Sequence, residues 1–132
     1  MAISTNLKRL IWIDTNAASL AFLFLITLRH FFASLFGLPV YLITIMAIIA
    51  LCYAMYGWQL IFRKDRSAKQ VLPLIIGNVA YGIMCLSVLA WHSDMIKPIG
   101  CAYLLFDASI AFLLAAVEWQ AYRREPVENN AQ

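Results

Sequence analysis

Four stretches of about twenty apolar residues, separated by short polar breaks, leave this chain few ways to fold. Each is long enough to cross about 30 Å of hydrocarbon as a helix. The chain has 132 residues, of which 64% are hydrophobic and 13% charged, where soluble domains carry roughly a quarter charged. The reading is an all-α polytopic membrane protein, an antiparallel up-down bundle of four transmembrane helices. The spans fall at about 7–28, 40–62, 71–91 and 98–122, within one domain over 1–124. A polar tail, 125–132, is too short and too polar to fold alone.

The breaks carry their own signals. Gly37-Leu38-Pro39 reads as a helix stop followed by a helix start, since glycine tolerates the left-handed position past a helix end and proline suits a first turn. Pro98 opens the fourth span in the same way, and Phe31 to Phe36 is expected in the interface after Arg29 and His30. The first block lacks a small-x-small cleavage site and is followed directly by a second span, so it reads as a retained span. Cys52, Cys85 and Cys101 lie on three different spans without a CxxC pair or metal-like spacing, which speaks against a disulfide framework or a thiol-redox enzyme.

Orientation follows from charge. Lys8, Arg9, Arg63, Lys64, Arg66, Lys69, Arg123 and Arg124 share one side of a four-span topology, leaving Arg29 and Lys97 on the other. Basic loops stay in the cytoplasm, so both termini are expected there. Trp12, Trp58, Trp119 and Tyr122 then collect at the inner boundary and Tyr41, Trp91 and Tyr103 at the outer, as interfacial aromatics do. Small residues in helical register, Ala17 with Ala21, Ala50 with Ala54 and Ala111 with Ala115, are the expected packing contacts between helices.

Polar residues inside the spans are the candidate site: Asp14, Asn16, Gln59, Asn78, Asp107 and Glu118. At 1.5 Å of rise per residue, Asp14 lies roughly 7 Å inside the cytoplasmic boundary and Asn78 roughly 13 Å. Glu118 and Gln59 lie at depths close to that of Asp14, so all four helices contribute a polar group to one half of the membrane. Asp107 sits nearer the outer end of span 4, eleven residues from Glu118, and the two share a helix face with Ala111 and Leu114. Asn78, Gly82 and Cys85 form a similar line on span 3. Both lines are expected to face the bundle interior, because intramembrane ionisable groups rarely face lipid.

Two functions fit such a layer. One is solute handling, including proton-coupled movement of a small cationic or polar solute. The other is an accessory membrane subunit with an intramembrane polar layer. A purely structural reading competes, in which Lys8, Arg9 or Arg124 reaches inward to pair with Asp14 and Glu118. A redox reading with bound quinone or haem is the further alternative. His30 and His92, both at the outer boundary, are the only histidines that could ligate a haem iron. The sequence otherwise calls for no cofactor and no metal. Metalloprotease, hydrolase, P-loop and dinucleotide motifs are absent, so the reading is non-enzymatic. The partners expected are the lipid bilayer and either a second copy of the chain or another membrane protein; nucleic acid is not among them.

With Asp14, Gly37-Leu38-Pro39 and Asn78-Val79-Ala80-Tyr81 in place, the chain resembles a widespread group of small bacterial four-span inner-membrane proteins. In that group an aspartate sits early in span 1, a Leu-Gly-Leu-Pro-like turn precedes span 2 and an Asn-x-x-Trp motif lies in span 3. Here Phe36 stands for the leucine and Tyr81 for the tryptophan. The resemblance implies the four-helix layout and a shared role for Asp14 and Asn78. The small multidrug exporters are similar in length, layout and the early acid, but their other local patterns are missing here.

Overall fold

The computed structural model describes residues 5–63 and 67–124. Four long helices, α1 (Thr5–Thr27), α3 (Val40–Phe62), α4 (Leu72–Trp91) and α5 (Pro98–Arg124), form an antiparallel bundle; a short helix, α2 (Arg29–Phe36), follows α1. All four long segments have the length and apolarity of membrane spans, the third including a 3-10 turn at Ala68–Val71 ahead of α4. The protein is a small multi-pass membrane protein. Its polar tail, residues 125–132, and residues 64–66 of its most basic loop lie outside the described residues.

Local chemistry sets the helix ends. Ser67 and Gln70 form a reciprocal capping box around the 3-10 turn, and Pro73 sits in the first turn of α4, where its missing N–H breaks no bond. Gly37 ends α2 at φ 73°, and both its N–H and that of Leu38 donate to the Ala33 carbonyl. A Cβ at Gly37 would lie 2.5 Å from the Met95 carbonyl oxygen and 3.0 Å from the Lys97 nitrogen, so backbone angle and space both demand glycine. Pro39 caps α3 immediately afterwards in extended conformation.

Residues 31–36, expected in the interface, are helical and turn back onto the bundle. Phe36 stacks on Tyr103 of α5 with ring centroids 4.5 Å apart, and on Phe32 at 5.4 Å. The Lys97 N–H donates to the Phe36 carbonyl at 2.9 Å, and Lys97 Nζ to the Ser34 carbonyl at 2.8 Å. These contacts tie the α2 end to the turn between α4 and α5 at the outer end of the bundle.

In lipid, apolar burial does not drive helices together; close packing and hydrogen bonds do. Here α1 packs chiefly on α3, and α4 on α5, giving two antiparallel hairpins. Small residues mark both seams. On α3, Ala47, Ala50, Ala54 and Gly57 are buried, and on α5, Ala108, Ala111 and Ala115. Ala17, expected to pair with Ala21 in a helix seam, is instead exposed and borders a cavity between the hairpins. The buried apolar residues fall into two clusters. One, around Leu25, Phe36, Ile43, Met46 and Leu104, fills the outer half; the other, around Leu7, Ile11, Leu60, Val71 and Leu74, fills the inner half. A polar layer lies between them.

Candidate intramembrane polar site

Asp14 and Glu118 are buried, at 4% and 0% exposure, and Asn78 joins them from α4. The Asn78 amide nitrogen lies 3.0 Å from Asp14 Oδ2, 3.3 Å from Glu118 Oε2 and 2.9 Å from the Tyr53 hydroxyl. Tyr53 itself donates to Asp14 Oδ2. One residue from each long helix thus meets at a single amide. Asn78 and Tyr53 also join the two hairpins, and Gly77 makes room for the Tyr53 ring, which a Cβ there would meet at 3.1 Å.

Counting donors shows what the cluster lacks. Two carboxylates offer four oxygens, whereas Asn78 supplies two protons and Tyr53 one. Glu118 Oε1 is buried with no hydrogen-bond partner. The basic residues expected to reach inward do not: Lys8, Arg9 and Arg124 are exposed, and no ion pair to Asp14 or Glu118 occurs among the described residues. Two acids in an apolar bundle without a cation are unbalanced in charge as well as in donors. The arrangement is completed by a proton or by a guest that brings positive charge.

Beside this layer runs a cavity of about 300 Å³ between the hairpins. Asp14, Tyr53 and Asn78 stand at one end, Asp107 and Tyr81 at the other, and alanines and Gly77 make much of the wall between. Asp107 is half-buried and accepts a hydrogen bond from the Tyr81 hydroxyl at 2.6 Å. No lysine, arginine or histidine lines the space.

The other candidates lie elsewhere. Gln59 is exposed on the outside of α3, so α3 enters the layer through Tyr53 instead. Asn16 turns its amide back to the Trp12 carbonyl, 2.7 Å away on its own helix. Asp107 does not join Glu118 in one cluster but holds the opposite end of the cavity. His30 is exposed at the start of α2; His92 is half-buried after α4, its Nδ1 without a partner. No group of three metal-binding side chains occurs among the described residues. Trp58, assigned to the inner interface, donates its indole N–H to Ser19 at 3.0 Å and so helps to bind α3 to α1.

No family model, no curated protein and no solved structure matches the chain. The chain itself has four apolar helices of membrane-spanning length with a buried aspartate in the first.

Proposed function

We propose that this is a solute-handling membrane protein that takes a small organic ammonium ion into the cavity between its hairpins, with Asp14 and Glu118 as the charge that holds it. One observation carries the reading: two buried carboxylates share a single amide, have no basic partner among the described residues, and one of them, Asp14, lines a cavity with no cation in its wall. An ammonium group supplies three N–H donors and one positive charge, which are the two quantities the cluster lacks. The mostly apolar wall suits a short alkyl chain.

Binding of labelled butylamine to the protein in detergent micelles, measured by equilibrium dialysis against empty micelles, tests this. Asp14→Asn and Glu118→Gln keep side-chain shape and add donors, so both are expected to fold in normal yield. Each is expected to weaken butylamine at least about tenfold, since a unit charge pair at 4 Å is worth about 4 kcal/mol at an effective dielectric of 20. Wild-type protein that does not bind, or variants that bind as wild type, would sink the proposal.

The membrane we assign is the bacterial cytoplasmic one, with both termini inside and the Asp14–Glu118 layer in the inner half. The distribution of basic residues supports this, with Lys8, Arg9, Arg63, Lys69, Arg123 and Arg124 at one end of the bundle. A reporter fused after Gln132 that is active only in the cytoplasm should be active. Activity of a periplasm-only reporter at the same point would reverse the assignment.

A further inference from the structure

The geometry points to a ligand with two cationic ends, a linear diamine, lying along the cavity with one ammonium at the Asp14–Glu118 layer and the other at Asp107. This inference rests on the proposed ammonium site and adds its second end.

Three observations carry it. The cavity has an acid at each end and none between: Asp14 at one, Asp107 at the other. The lining runs from Asp14 to Ala21 on α1 and from Leu114 to Asp107 on α5, roughly 10 Å of helix, which is too far for one compact cation to meet both acids. The intervening wall is built from side chains that leave room, among them Ala17, Ala21, Ala50, Gly77 and Ala111, and they offer a methylene chain apolar contact without a polar group to desolvate.

The two ends also differ in a way that suits a guest. At the inner end Asp14 faces the cavity beside Tyr53 and Asn78, and Glu118 lies behind it, fully buried. At the outer end Asp107 meets the phenols of Tyr81 and Tyr103, and its carboxylate, with about four acceptor sites, retains others. A monoamine can satisfy only one end. A diamine of matching length satisfies both, with the second contact made inside the first complex and so without a second loss of translational freedom.

Diaminobutane, diaminohexane and diaminooctane, each compared with the monoamine of equal chain length by the same dialysis, read this directly. The expected result is a diamine of one preferred length bound at least about tenfold tighter than its monoamine. Asp107→Asn should abolish that advantage while leaving monoamine affinity within about twofold. Tyr81→Phe, which frees Asp107 from one phenol, should preserve the preference and covers the case in which Asp107→Asn folds poorly. Diamines no tighter than monoamines at every length, or an advantage lost in Tyr81→Phe, would overturn the second end and leave the ammonium site standing. Failure of the monoamines as well would remove both.

Discussion

Asn78→Leu is expected to destabilise the bundle by about 3 kcal/mol or more, although leucine is close to asparagine in size and suits the surroundings better. The amide donates to both Glu118 and Asp14, which lie within hydrogen-bond reach of each other, and the Tyr53 hydroxyl also donates to Asp14. Removing it leaves buried acceptors without partners, at about 1–3 kcal/mol each and more where the acceptor is charged. The helices lose their common contact at the same time, because Asn78 touches a residue of each of the other three spans. Unfolding in mixed micelles of detergent and denaturing surfactant would measure the loss. The informative control is Asn78→Leu combined with Glu118→Leu, where donor and acceptor go together. If the loss comes from stranded carboxylate oxygens, the double variant should recover much of it, since replacing both partners with apolar groups is far milder than removing one. A single variant within about 0.5 kcal/mol of wild type would mean that the layer contributes nothing to the fold, given that ordinary surface substitutions lie in that range.

The same layer shows what a sequence of this kind discloses and what it hides. Length and apolarity place the spans to within a few residues: about 71–91 against Ala68–Trp91 is the largest offset at a span start. Turn chemistry at Gly37 and Pro39 is legible because only special residues fit there. Depth is legible too, through the constant rise of a helix: it puts Asp14 and Glu118 at one level and Asn78 somewhat deeper in the same half of the membrane. Rotation about the helix axis is not. An amphipathic helix in water reveals its buried side by alternating polarity, but α3 is apolar all round and nothing in its pattern says which side faces in. Gln59 has a suitable depth yet sits one residue before buried Leu60, on the outward side. Tyr53 faces in, and as an aromatic residue in a span rich in aromatics it gave no signal of its own. Rotation of α3 about its axis separates the two, and Gly57, packed against Thr15, lies on the side that faces α1.

Gly57→Ala is therefore expected to do more harm than adding one methyl group to a helix normally does. The new Cβ would lie 2.9 Å from Thr15 Cγ2 and 3.0 Å from Thr15 Cβ. Thr15 cannot swing clear, because it is fully buried and β-branched, and a helix leaves such side chains few rotamers. The helices must separate, and overpacking of this kind costs about 1–3 kcal/mol. Gly82→Ala is the matched comparison across the other seam. Its Cβ would meet the far end of the Phe112 ring at 2.7 Å, but that ring is half-buried on a rotatable side chain and can move aside. Gly57→Ala should accordingly unfold earlier than Gly82→Ala in the same mixed-micelle titration. Thr15→Ala should rescue much of Gly57→Ala, because it removes Thr15 Oγ1 and Cγ2 and leaves only the Cβ contact. Function should follow packing. Thr15 adjoins Asp14 on α1, so forcing α1 away from α3 draws Asp14 from the Tyr53 hydroxyl and opens the layer. Butylamine binding should fall in Gly57→Ala and return in the double variant, without any change to a residue of the polar cluster. A Gly57→Ala protein of normal stability, or one that Thr15→Ala fails to rescue, would show that something other than the α1–α3 contact holds Asp14 in place.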